Sequence, residues 1–186
     1  MSSPVSFSHI AVLGAGAWGT ALALAALAAG RKTSLWVREE DVLADIRQGR
    51  GNRFLPGVAI PKELDVTGDL AEACKAQALL LAVPAQVLHL FADGLKPHLK
   101  QNPPLVICAK GIEKDSGKLV TEVAAESLPG TALAILSGPS FARDVARGLP
   151  TAVTIAAKGD LASNCKLHWA RLRFVLTPAT ILSAWR

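Results

Sequence analysis

Short unbroken apolar runs alternate along this chain with longer stretches in which apolar residues recur every three or four positions. The runs are Ile10–Leu13, Thr33–Val37, Ala78–Val83, Leu105–Ala109, Ala132–Leu136 and Thr151–Ala157, each of a length that suits a buried strand. Pro84 stops the third, and Asp65–Thr67 adds a shorter one. Between them lie predicted helices. An Ala/Leu run of high helix propensity ends at Ala29 and is closed by Gly30. Asp41–Arg47 sets Val42, Leu43 and Ile46 on one face, and Asp69 caps a helix running through Cys74. Gln86–Leu99 is helical with a break near Gly94 and Pro97, Leu119–Ser127 is the next helix, and Phe141–Arg147 makes one or two turns. Gly49–Pro61, rich in Gly, Pro and Arg, reads as a loop. Continuously apolar strands that alternate with helices predict an α/β fold, a doubly wound parallel sheet covered on both faces. In such a sheet, ligands bind outside the carboxyl ends of the strands.

The turn between the first strand and the first helix carries chemistry. Gly14, Gly16 and Gly19 are spaced G-x-G-x-x-G, after a strand and at the opening of a helix. Gly14 permits the turn, Gly16 lets backbone approach a pyrophosphate, and Gly19 lets helix pack on strand. The first-turn N–H groups and the positive end of the helix dipole then face the phosphates. This context predicts a Rossmann-type dinucleotide-binding domain over residues 1–160.

Other candidates come directly after strands. Arg38 ends the second, where a carboxylate would hold the ribose 2′-hydroxyl of NAD and an arginine can meet a 2′-phosphate. That favours NADP with NAD tolerated; Glu39 and Glu40 stand beside it, and a solvated surface arginine is the plain alternative. Lys110, after Ile107-Cys108-Ala109 and before Gly111, offers a phosphate a point charge. Gly138-Pro139-Ser140-Phe141-Ala142 is a second glycine turn, with the Ser140 hydroxyl and N–H available to a phosphate or carbonyl. Val83-Pro84 reads as a strand stop, with a wall for the nicotinamide half of the cleft as the alternative, and His89 and His98 read as structural or exposed. No Ser/His/Asp arrangement and no metal cluster is evident in the spacing.

Composition narrows the picture. The chain has 186 residues, 51% hydrophobic, with mean hydropathy +0.33, enough to bury one full domain. Its longest apolar stretch, Ala21–Ala29, is too short to span a bilayer, and no signal peptide is expected. Cys74, Cys108 and Cys165 lack metal spacing and read as reduced thiols of a cytoplasmic protein. The net charge of +5 is uneven. All fifteen acidic residues lie at or before Asp160 with sixteen of the twenty basic ones, leaving +1 there; Lys166, Arg171, Arg173 and Arg186 supply the rest. A near-neutral fold argues against a nucleic-acid footprint.

Several of these segments jointly resemble the N-terminal part of bacterial NAD(P)-dependent glycerol-3-phosphate dehydrogenase: Gly14–Ala21, Leu35–Arg38, Asn52–Gly57, Val83–Ala85, Ala109–Ile112, Leu136–Ala142 and Gly148–Ala152. They stand in the family's order over residues 9 to about 157. The resemblance implies reduction of dihydroxyacetone phosphate to sn-glycerol 3-phosphate with NADPH or NADH, at the entry to phospholipid synthesis. It implies cofactor contacts at Ala17, Trp18, Arg38 and Ala142, Lys110 reaching both cofactor and substrate, and substrate contacts at Gly138 and Ser140. Ala17 stands where the family often has serine. The family's catalytic lysine lies in a helical domain beyond residue 186, so no catalytic residue is assigned here, and a homodimer is expected of the longer enzyme. Two alternatives stay open: another dehydrogenase acting on a keto acid or imine, and a non-catalytic NADPH-binding module.

Residues 161–186 form an atypical tail. From Asn164 it holds no acidic residue, carries Trp169 and Trp185 of the four tryptophans, and loses the resemblance. The codons permitted for Asn164–Ile181 include a set whose shifted frame encodes a segment ending Phe-Arg-Pro-Tyr-Thr-Ser-Asp-Asp, similar to the family's continuation. The expectation is a frameshifted tail on a cofactor domain that lacks its catalytic half.

Overall fold

The computed structural model describes residues 7–157, residue 161 and the backbone of 174–180. Most of the tail, including Cys165, Trp169 and Trp185, lies outside the described residues. The strands are β1 (His9–Leu13), β2 (Lys32–Trp36), β3 (Asp65–Thr67), β4 (Ala78–Leu81), β5 (Leu105–Ile107), β6 (Leu133–Ser137), β7 (Thr151–Ala157) and β8 (Phe174–Thr180). The helices are α1 (Ala17–Ala28), α2 (Glu40–Arg47), α3 (Leu70–Ala73), α4 (Leu88–Leu95), α5 (Val120–Ser127) and α6 (Ala142–Ala146). The strands form one sheet of order β3-β2-β1-β4-β5-β6-β7-β8.

From β3 to β6 every neighbour is parallel. β1 sits between β2 and β4, the point where the winding reverses and where doubly wound sheets bind their ligands. The side chains of β1 alternate between two cores. Ile10 and Val12 join α1 (Leu22, Ala25) with Leu80, Val106 and Leu136 on one face. Ala11 and Leu13 join α4 and α5 (Leu88, Leu95, Val123) with Leu79, Leu81 and Ile107 on the other. Every residue of α1 from Gly19 to Ala26 is buried, which only small and aliphatic side chains allow. Each fully buried leucine here contributes roughly 1.5–3 kcal/mol.

The fully parallel sheet expected from the sequence is corrected at one strand: β7 runs antiparallel to β6. The connection from β6, a turn and the five-residue α6, returns the chain against the direction of β6, and an antiparallel strand toward the edge of an otherwise parallel sheet is a common arrangement. Burial along β7 accordingly alternates, with Thr151, Val153, Ile155 and Ala157 inside and Ala152 and Thr154 outside. β4 and β5 end two residues before their apolar runs do. The predicted helix 86–99 is α4 flanked by single 3₁₀ turns at Ala85–Val87 and Lys96–His98, the second holding Pro97. β8, within the atypical tail, pairs parallel with β7 as an edge strand, where a proline such as Pro178 is tolerated.

Candidate functional site

The crevice is built around the first glycine turn. Gly14 has φ +116°, and a Cβ there would stand 2.9 Å from Ala82 O, so the turn packs on the end of β4. A Cβ on Gly19 would lie 1.9 Å from Gly14 O, so α1 approaches the turn only with glycine there. Gly16 is different: a Cβ would meet nothing within 4 Å. It is the N-cap of α1, yet no side chain caps the helix and no acidic residue stands in its first turn, which contains Ala17 and Trp18. The first-turn N–H groups are thus left without a side-chain cap, with the positive end of the dipole behind them. An anionic ligand fits this cradle.

Lys110, just past β5, projects to the same place. Its ammonium donates to Gly138 O at 2.9 Å and stands 5.8 Å from the centre of the Trp18 ring. Residues 18, 110 and 138 thus meet although far apart in sequence. Ser140 N also donates to Gly138 O, at 3.0 Å, and its hydroxyl lies 3.4 Å from the same oxygen. Gly138 is sterically required, because a Cβ would come within 2.7 Å of Ala152 O on β7. Ala142 opens α6, which packs on α1 beside Ala17 and Trp18. The Trp18 Nε1 is buried without a hydrogen-bond partner, and Phe141 beside the turn is 77% exposed.

Arg38 stands apart from this cluster, past the end of β2. Its guanidinium is 74% exposed and grips Glu39 Oε1 at 2.7 Å, while Arg53 pairs with Asp41 at the start of α2. Val83 is buried and Pro84 starts the 3₁₀ turn, as a strand stop would.

Several supporting residues gave no chemical signal in the sequence. Asn52, buried in the Gly49–Pro61 loop, reaches back to the glycine turn and to Thr20; its only mark was its place in a matched segment. Gln86 clamps the loop after Lys110, donating to Ile112 O and accepting from Lys114 N, both at 2.9 Å. His89, expected to be structural or exposed, is half-exposed with its Nδ1 2.7 Å from Glu113 Oε1, short of an aligned hydrogen bond. The Ser116 hydroxyl first, and the His89 ring beside it, hold the Glu113 carboxyl below its usual range. A Ser/His/Asp line also exists, away from the crevice. Ser34 Oγ donates to Asp65 Oδ2 and contacts His9 Nε2, each at 2.9 Å. The serine proton faces the aspartate, so the histidine is not placed as its base. Among the described residues, no His/Cys/Asp/Glu group could hold a metal ion, and no helix is long and apolar enough to cross a membrane.

Residues 9–162 match the family described as NAD-dependent glycerol-3-phosphate dehydrogenase N-terminus. The chain belongs to this family. The glycerol-3-phosphate dehydrogenase [NAD(P)+] of Rhodopseudomonas palustris strain HaA2 is 57% identical over 152 residues, 82% of this chain and 46% of that relative. The enzyme of the same name from Parvibaculum lavamentivorans is 48% identical over 165 residues, 88% of this chain and half of that one. A crystal structure of glycerol-3-phosphate dehydrogenase from Coxiella burnetii superposes with a TM-score of 0.83 at 34% identity, covering 94% of this chain and 54% of its own. The chain thus spans about half the length of the relatives it matches.

Proposed function

We propose that this domain binds NADPH, and NADH less tightly, as the cofactor half of an oxidoreductase that interconverts dihydroxyacetone phosphate and sn-glycerol 3-phosphate. The observation that carries the reading is the meeting of Lys110 with Gly138 and Trp18 beside the uncapped start of α1. Backbone N–H groups of Gly16, Ala17 and Trp18 would hold the diphosphate, with Gly14 and Gly19 shaping the turn. Arg38 would turn from Glu39 to a 2′-phosphate, and Ala142 would line the nicotinamide end. The Lys110 ammonium, already 2.9 Å from Gly138 O, would bridge cofactor and substrate phosphate, with Gly138 and Ser140 completing the substrate contact. The bound nicotinamide supplies the hydride. Carbonyl reduction also needs a proton donor at the developing alkoxide, and no residue of this cluster is placed as one; in the longer relatives the additional half would supply it. Such an enzyme would serve phospholipid synthesis in the cytoplasm, acting on small molecules only, as a homodimer.

Calorimetric titration of NADPH and NADH into the purified chain tests the cofactor assignment. Tighter NADPH binding is expected; equal affinities defeat the role of Arg38, and no binding of either defeats the site. Joining this chain to the C-terminal half of a relative and assaying a panel of alcohols tests the reaction. Inactivity on glycerol 3-phosphate with activity on another alcohol would point to a different dehydrogenase.

For the tail, we infer that residues 164–186 are read from a shifted frame. Its acid-free composition and the end of the family match at 162 support this. Sequencing the coding DNA decides it: a shifted frame near codon 164 without a family-like continuation defeats the idea.

A further inference from the structure

We propose that Asn52, together with Thr20, is a positioning residue that sets the Ala15–Gly16 peptide so that the Gly16 N–H faces the diphosphate of the bound dinucleotide. The proposal rests on the reading of this domain as a dinucleotide site. Asn52 lies in the loop between α2 and β3, far from the glycine turn in sequence. Its Nδ2 donates to Ala15 O and to Thr20 Oγ1, each at 2.8 Å. Thr20 Oγ1 donates in turn to the same Ala15 O at 3.3 Å. Asn52 Oδ1 accepts from Phe54 N at 2.9 Å. Both side chains are buried, 3% and 0% exposed.

The hydrogen inventory closes. The two amide hydrogens of Asn52 and the single hydroxyl hydrogen of Thr20 are all used, and the amide oxygen is satisfied. The target of two of these donors is one carbonyl, that of the residue between Gly14 and Gly16. In a planar trans peptide the C=O and the N–H of the next residue point in opposite directions. Pinning Ala15 O against Asn52 therefore turns the Gly16 N–H the other way, and it is at Gly16 that a Cβ would find open space. Two donors on one carbonyl also polarise the peptide, so its N–H becomes the better donor to an anion. A flipped peptide would present an oxygen to that anion instead. A residue that merely tied down the loop would have no need to reach this carbonyl.

The test uses the full chain with NADPH, which carries the diphosphate, and adenosine 2′-phosphate, which does not. Thr20→Val keeps the shape and removes the hydroxyl; Thr20→Ser restores it; Asn52→Leu removes both Nδ2 hydrogen bonds and leaves the longer one from Thr20. We expect Thr20→Val to weaken NADPH about tenfold, the scale of one lost hydrogen bond, with adenosine 2′-phosphate unchanged and Thr20→Ser near wild type. The Gly16 amide resonance, monitored by NMR without ligand, should shift in Thr20→Val, and in Asn52→Leu where that variant folds. Equal weakening of both ligands, or no rescue by serine, shows a structural role and overturns the proposal. An unmoved Gly16 resonance in Thr20→Val overturns the clamp whether or not NADPH binds. A wild-type chain that binds no NADPH overturns the cofactor reading, and with it the ligand-facing half of the proposal.

Discussion

The three glycines of the first turn do three different jobs, and the jobs predict different failures. Gly16 has φ −64° and ψ 176°, a conformation open to any residue, and its missing Cβ points into free space. Gly16→Val should therefore fold with a melting temperature close to wild type while NADPH binding is abolished, because the side chain fills the room the diphosphate needs. Gly19→Ala is the converse. Its methyl would sit 1.9 Å from Gly14 O, so the backbone of the turn must move, at a cost of roughly 1–3 kcal/mol or more. Differential scanning calorimetry of the two variants beside an NADPH titration separates the cases. Retained binding in Gly16→Val would show that this turn is not the phosphate site. The spacing already gives the three different roles; the approach of Ala82 O to Gly14 and of Gly14 O to Gly19 supplies the distances behind two of them.

At the scale of elements, the loop that carries Lys110 is held from outside itself. β5 ends at Ile107, and the segment from there to the start of α5 makes one isolated bridge, between Ile112 and Leu119. Its anchors are the 3₁₀ turn after β4, where Gln86 takes both polar groups of its amide to Ile112 and Lys114, and the start of α4, where His89 meets Glu113. Gln86→Ala should cost only about 1 kcal/mol of stability, since these bonds are exposed. It should speed amide exchange in residues 111–114 and weaken NADPH binding in step, as Lys110 loses its fixed place. Faster exchange with unchanged affinity would show that Lys110 does not depend on the clamp. No pattern in the chain foretells this contact, because a glutamine after a strand stop is ordinary until the fold brings a second loop beside it. The strands β1–β7 and the helices were legible, since burial on both sheet faces writes itself as apolar runs; β8 was not, because Thr151–Ala157 reads as the last strand. The direction of β7 was not. An apolar run carries no polarity, so the direction of this strand appears only in its pairing with β6.

At the scale of the whole molecule, the candidate site and a second polar cluster lie at opposite edges of one sheet. The carboxyl edge collects residues that the sequence marks well, because strand ends with Gly, Lys or Arg just beyond them are visible in one dimension. The amino edge carries a polar cluster that spacing could not assemble, with His9, Ser34 and Asp65 contributed by three adjacent strands. Burial first, and the Lys32 charge second, lower the pKa of His9 from its ordinary value of 6.5, against smaller opposite effects of Asp65 and Glu72. The native state thus binds this proton less readily than the unfolded chain. Between the two values the unfolded chain holds more protons, so stability rises with pH there. The contribution is complete above about pH 6.5 and is lost as the pH falls through that value toward the lower native one. Urea midpoints of the wild-type chain should therefore drop between pH 7 and pH 5, and more steeply than those of His9→Gln, which keeps a hydrogen-bonding group for Ser34 but has no proton to gain. The other histidines and the carboxylates are common to both proteins and cancel in the difference. Parallel midpoint curves for the two across that range would show that His9 titrates alike in both states, and that the amino edge leaves acid stability unchanged.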